Sequence, residues 1–312
     1  MDKTLKLSVS PHIHSGKSTA GIMRDVIIAL LPTTVAGVII FGLRSLAVIA
    51  ACVLSSVAFE AIFNLICKKE QTVGDLSAAV TGLLLALNLP ANLPLWQCVV
   101  GSMFAIIVVK CLFGGIGCNA VNPAITARVF MLIAFGSLAR QAMPTVVDTI
   151  SGATPLSMEA GSTMPSLFEL FIGLKGGAIG EVCGAALLLG FVYLLFRRVI
   201  TWHIPVSLMG SVYLISLIIE GGDALRALSL VLSGGLLIGA IFMATDYVTS
   251  PVTPAGKLIF GVGAGIISVL IRYYGVYPEG VSFGILFMNI LTPYIDIWTK
   301  HRVFGRGGKT NE

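Results

Sequence analysis

The stretch GLLLALNLPANLPLW (residues 82–96) decides the fold. An apolar helix rich in small residues runs into Asn88-Leu89-Pro90 and stops there. The apolar run, about 75–90, falls short of the ~20 residues that a complete bilayer crossing needs. Proline also removes a backbone donor. In lipid, such freed backbone groups persist only where protein or a cavity satisfies them. The stretch therefore reads as a broken or half helix inside a membrane protein. It is echoed by GLLIGAIFMATDYVTSPVTPAG (235–256), where another small-residue helix meets a polar, proline-rich break. GGIGCNAVNPAITARVFM (114–131) and YGVYPEGVSFGILFM (274–288) form a second pair, each with a glycine-rich turn, a proline and a new apolar run. Chance likeness between hydrophobic helices is the competing explanation.

Composition agrees with a lipid solvent. Of 312 residues, 56% are hydrophobic and 11% charged, and mean hydropathy is +0.95. A soluble domain carries about 25% charged residues, so a soluble enzyme is excluded. The 35 glycines lie within apolar runs and suit close helix packing. Ten apolar stretches can be marked at about 24–42, 45–66, 75–90, 95–112, 122–139, 178–196, 204–220, 225–245, 257–274 and 280–298. The fifth opens on Asn122-Pro123 and is also read as a broken helix. The first twenty residues are polar and the first apolar run is long enough to span, so no cleavable leader is expected.

Lysine and arginine set the direction. With the N-terminus in the cytoplasm, the inner side holds Lys3, Lys6, Lys17, Arg24, Lys68, Lys69, Lys110, Arg197, Arg198, Lys257, Lys300, Arg302, Arg306 and Lys309. The outer side holds Arg44, Arg140, Lys175, Arg226 and Arg272, and Arg128 stays within a span. Fourteen against five is a positive-inside bias. The basic residues are thus topology signals and not a nucleic-acid surface. The expected order is a cytoplasmic segment 1–23, five helices over 24–139, an external loop over 140–177, five helices over 178–298 and a cytoplasmic tail 299–312. Two similar halves with an odd number of crossings must be inverted relative to one another. The expected fold is an all-α integral membrane protein of about ten transmembrane helices in two inverted five-helix repeats, with broken helices.

The external loop contains Asp148-Thr149-Ile150-Ser151-Gly152-Ala153-Thr154-Pro155. Gly152 and Ala153 leave room around the Thr154 hydroxyl for a large planar group or a modifying enzyme. Pro155 holds Thr154 extended. By composition alone the same residues also make an ordinary Ser/Thr/Gly turn.

This D-x-x-S-G-A-T sequence resembles the flavinylation motif of the bacterial Rnf and sodium-pumping quinone reductase families. Further segments resemble the D-type membrane component of Rnf complexes, in order along the chain. They are SPHIHSGKSTAGIMRDVIIALLP (10–32), FGGIGCNAVNPA (113–124), SGATPL (151–156), MATDYVTSPVTPAGKLIFGVG (243–263) and YPEGVSFGILFMN (277–289). The related quinone-reductase component is longer at its N-terminus, which favours the Rnf type. The chain departs from the family wording at NPAITAR, where a glycine-containing turn is common. The resemblance implies FMN joined by its phosphate to Thr154 through a flavin transferase, with Asp148, Ser151, Gly152 and Ala153 as the frame around it. It also implies a non-covalent riboflavin, which nothing in the sequence locates. The implied partners are a flavoprotein G-type subunit, membrane A- and E-type subunits, and B- and C-type iron–sulfur and NAD subunits. The implied activity is electron transfer between ferredoxin and NAD, coupled to Na⁺ or H⁺ translocation across the bacterial inner membrane. The implied location puts both termini in the cytoplasm and Thr154 outside. A non-redox channel or carrier built on the same inverted repeat is the alternative.

Polar residues within apolar runs are the other candidates. Asp246 lies in A-T-D-Y-V-T-S-P-V-T-P, whose hydroxyls and breaks suit Na⁺ as an ion-pathway ligand, and suit also a helix end at the cytoplasmic interface. Arg128 is costly in a span unless paired or aimed at a cavity, so a flavin phosphate, a carboxylate or a structural ion pair would suit it. Glu60 and Glu181 are expected near an interface, and Asp25 as a solvated helix cap. The six cysteines (Cys52, Cys67, Cys98, Cys111, Cys118, Cys183) form no CxxC and read as packing residues. His14-Ser15-Gly16-Lys17-Ser18-Thr19 imitates the tail of a P-loop, but Pro11 stands where glycine is required and no strand precedes it. His12 and His14 lack further metal ligands.

Overall fold

The computed structural model describes residues 18–135, 167–173, 176–275 and 280–300. Asp148, Ser151, Gly152, Ala153 and Thr154 lie outside the described residues, as do His12 and His14. The described residues are helical, with no strand element among them.

α1 (Thr19–Phe41) starts at Ser18, whose Oγ accepts from Gly21 N–H at 3.1 Å. Gly42, at φ 75°, joins it to α2 (Leu43–Ile66). α3 (Ser77–Leu87) ends at Asn88, and α4 (Leu95–Met103) starts beyond Pro94 and continues as a π-helix over Phe104–Cys111. α5 (Pro123–Ala134) begins at Asn122-Pro123 as expected, with proline in its first turn. The short α6 (Leu167–Ile172) precedes α7 (Gly184–Phe196), α8 (His203–Ile219) and α9 (Ala224–Leu232). α10 (Leu236–Ile238) continues as a π-helix over Gly239–Met243. α11 (Pro254–Tyr274) and α12 (Val281–Trp298) complete the described chain.

α1, α2, α11 and α12 are each long and apolar enough to cross a bilayer. α9 and α10 with its π-turn together reach that length but are bent by 67° at Ser233–Gly235. The single stretch expected over 225–245 is therefore two pieces. Ser233-Gly234-Gly235 supplies the reason, since Gly234 takes φ 66°, in the left-handed region. α3, α4 with its π-helix, α5, α7 and α8 are apolar helices of 10–17 residues. The ten apolar stretches thus correspond to helices of unequal length. Residues 178–183, read as the start of the sixth stretch, are not helical. This is a multi-pass membrane protein whose outer face carries large apolar side chains, among them Leu43, Ile218 and Phe196.

Helices approach one another through small residues, as lipid-embedded helices do. α11 packs on α8 where Gly261 meets Ser207 and Gly265 meets Ser211. α7 packs on α1 where Gly190 meets the Ala29 carbonyl. Asp25 is not a solvated cap. It is largely buried and accepts from Arg197 Nε and Nη2 at 3.3 Å and from Tyr193 O–H at 3.2 Å, fastening α1 to α7. Of the six cysteines, Cys52, Cys98 and Cys111 are buried packing residues as expected, whereas Cys67 and Cys118 are exposed.

Candidate functional site

The helix breaks gather in the interior, and each is closed by side chains or backbone from elsewhere in the chain. At the first break, Leu87 and Leu89 carbonyls accept from Gly180 N–H (2.7 Å) and Ile179 N–H (3.0 Å). The segment before α7 thus lies against the end of α3, which is why it cannot continue as helix. Gly180 permits the approach: a Cβ there would stand 2.6 Å from Leu87 Cβ. Asn88 is buried, donates to Leu84 O at 2.7 Å and accepts from Arg128 Nη1 at 2.7 Å. Arg128 therefore reaches the break of the third apolar stretch from α5.

The second break, residues 244–253, meets the start of α5. Asn122 Oδ1 accepts from Ala124 N–H (3.0 Å) and Ile125 N–H (3.3 Å), capping α5. Its Nδ2 donates to Met243 O at 3.1 Å, where the π-turn ends. Thr292 Oγ1 donates to Thr249 O at 2.9 Å. With its amide oriented to suit its neighbours, Asn289 donates to Thr249 O and accepts from Asn122 N–H, both at 3.2 Å. Three buried polar side chains thus complete a backbone that lipid could not satisfy.

Between these breaks and the ends of α1 and α7 lies a cavity of about 110 Å3, lined in part by Ser77, Lys110, Asn119, Asn122, Thr245 and Asp246. Polar partners and this volume suit several waters or a small solvated ion. Asp246 lies beyond the π-turn, with Thr249 Oγ1 3.2 Å from its Oδ2. Burial pushes its carboxyl up from the ordinary value, opposed by hydrogen bonds from Val248 N–H, Thr249 and Asn119.

Lys110 is the residue that sequence reasoning misplaced. Counted among inner-loop charges, it is instead 3% exposed at the end of the π-helix. Its Nζ donates to Glu60 Oε1 at 2.8 Å and to Ser77 Oγ at 2.5 Å. Thr72 O–H donates to the same Glu60 oxygen at 3.0 Å. Glu60 and Glu181 are likewise buried within the protein, at 2% and 3% exposure. The one signal for Lys110 was its place after the unbroken apolar run AIIVV (105–109). Arg272, counted outside, donates inward to Leu230 O (2.8 Å) and Ser233 O (3.2 Å). No group of three or more His, Cys, Asp or Glu suited to a metal ion occurs among the described residues.

A family model described as the NQR2, RnfD, RnfE family matches residues 6–305. The chain belongs to that family. It is 48% identical over 307 residues to the D-type subunit of the Na(+)-translocating ferredoxin:NAD(+) oxidoreductase complex of Acetobacterium woodii, covering 96% of this chain and 95% of the relative. It is 37% identical over 319 residues to the D-type subunit of the proton-translocating ferredoxin:NAD(+) oxidoreductase complex of Clostridium ljungdahlii, covering 96% of each. It is 35% identical over 345 residues to the D-type subunit of the ion-translocating oxidoreductase complex of Vibrio cholerae, covering 96% of this chain and 99% of the relative. Membership of the NQR2, RnfD, RnfE family agrees with the resemblance read from the sequence.

Proposed function

We propose that this chain is the D-type membrane subunit of an ion-translocating ferredoxin:NAD⁺ oxidoreductase complex and carries FMN on Thr154. The observation that carries this reading is the near full-length identity to the D-type subunit from Acetobacterium woodii, together with D-x-x-S-G-A-T at 148–154. The chemistry fits: the transferase moves the FMN phosphoryl group from FAD to the Thr154 hydroxyl oxygen, breaking the pyrophosphate bond with AMP as the leaving group, and Ser151, Gly152 and Ala153 are small neighbours in the sequence. FMN so held supplies a ring that takes electrons singly or in pairs. A covalent tether keeps the group from escaping. The chain has no nicotinamide or iron–sulfur motif, so the G-, A-, E-, B- and C-type subunits supply those functions. A flavin transferase matures Thr154.

In this reading the two halves are inverted five-helix repeats in the inner membrane, with both termini cytoplasmic and Thr154 outside. The positive-inside bias supports that direction, and moving Lys110 to the interior leaves the bias in place. The cavity beside Asp246 then opens toward the cytoplasmic ends of the helices. There Asp246, Asn119 and Thr249 offer hard oxygen ligands to a translocated cation.

Flavin fluorescence of the denatured protein band, after expression with the transferase, tests the covalent link. Wild type is expected to fluoresce and Thr154→Ala to be dark. A Thr154→Ala complex that lacks flavin yet retains full ferredoxin:NAD⁺ activity would remove the electron-carrier role and favour a non-redox conduit.

A further inference from the structure

A buried guanidinium and a buried carboxylate, those of Arg128 and Glu181, border one spot where the two halves of the chain touch. Arg128, from α5, holds the first break by donating to Asn88. Arg272, from the last turn of α11, holds the α9–α10 bend by donating to the Leu230 and Ser233 carbonyls, which the bend leaves without helical donors. Glu181 comes from the non-helical segment before α7. Its own segment supplies the backbone donors that close the first break.

The geometry brings these elements to one point. A methyl group placed on Gly235, at the bend, would stand 3.0 Å from Arg128 Nη1 and 3.2 Å from Glu181 Oε2. The bend, the α5 guanidinium and the Glu181 carboxylate therefore border a common spot. Glu181 Oε1 accepts from Ala178 N–H at 2.8 Å, but Oε2 is buried without a hydrogen-bond partner. An oxygen so placed is held by the field of nearby positive charge and not by a bond of its own. In a low-dielectric interior such a field acts over several ångströms.

We propose that Glu181 is a positioning residue that couples the two helix breaks, the Asn88 break through Arg128 and the Ser233–Gly235 bend through its place against Gly235. A change in the Glu181 charge is then felt at both breaks together, although they lie 145 residues apart in sequence at Asn88 and Ser233. Through this link a shift at one half helix is transmitted to the other without a continuous element joining them. The inference rests on contacts within this chain and stands whether or not Thr154 carries a flavin.

Hydrogen–deuterium exchange of the assembled complex in nanodiscs tests it. Glu181→Gln keeps an acceptor for Ala178 N–H and removes the charge. It is expected to raise exchange several-fold in peptides covering 84–95 and 228–240, while α2 and α8 stay as protected as in wild type. Arg272→Gln is expected to loosen 228–240 first. Should Glu181→Gln assemble poorly, Gly235→Ala wedges Arg128 from Glu181 and is expected to give the same paired change. Loosening at only one break, at neither, or evenly along the whole chain would overturn the proposal.

Discussion

Lys110 Nζ lies 2.8 Å from Glu60 Oε1, and neither side chain exposes more than 4% of its surface. This pair joins α2 to the π-helical end of α4, and Ser77 brings in the start of α3. Removing one member leaves a charge in a medium that cannot solvate it, a loss of about 3–5 kcal/mol. Lys110→Met is therefore expected to lower the thermal midpoint in detergent sharply. Lys110→Met with Glu60→Gln should recover most of the loss. A double variant no better than the single would show that the pair's charge balance is not what matters.

Asp25 and Arg197 make the contrasting case. Their contact is 3.3 Å and the arginine side chain is 51% exposed, so solvent screens it. Arg197→Gln should cost less than about 1 kcal/mol, read as a small midpoint shift that shrinks further in high salt.

Gly180 touches backbone, which cannot move aside as a side-chain tip can. A Cβ would lie 2.6 Å from Leu87 Cβ and 2.9 Å from Leu87 O. Gly180→Ala is expected to cost about 1–3 kcal/mol by overpacking. It should also raise amide exchange at Ile179 and Gly180. Gly210, which meets nothing within 4 Å, is the control: Gly210→Ala should be neutral or slightly stabilising, as alanine favours helix.

Asp246 gives a pH prediction. Burial raises its carboxyl above the ordinary 3.8, so the folded state favours the protonated form. Its contribution to stability is complete below 3.8 and is lost as pH rises through the raised value. Asp246→Asn removes this dependence. Midpoints measured across the acidic range should converge toward wild type at low pH and lie above it near neutrality.

Thr154→Ser keeps a hydroxyl but drops the methyl. Intact-mass analysis after expression with the transferase is expected to show reduced flavin addition, lying between wild type and Thr154→Ala. Equal labelling of serine would show that the methyl is not read.

Much of this was legible in the chain. Asn88-Leu89-Pro90 and Asn122-Pro123 announced a helix end and a helix start, and both fall there, because proline and asparagine act on their own backbone. Asp25 and Lys110 were misread for the opposite reason. Each sits beside a charge or a run end that looks solvated, and only its distant partner, Arg197 or Glu60, places it inside. The 67° bend also escaped notice, since Ser233-Gly234-Gly235 reads equally well as a flexible small-residue run within one span.

Taken alone, the sequence determined that lipid is the solvent, that several helices are interrupted, where most of them begin, and to which family the chain belongs. Hydropathy and proline chemistry are local and survive without knowledge of contacts. Only the tertiary structure decided which groups close the interrupted helices: Ile179 and Gly180 against Leu87 and Leu89, Arg128 against Asn88, and Arg272 against Leu230 and Ser233. The reason is that an unsatisfied carbonyl in a bilayer can accept from any donor that the fold brings near, and sequence distance carries no record of which one arrives.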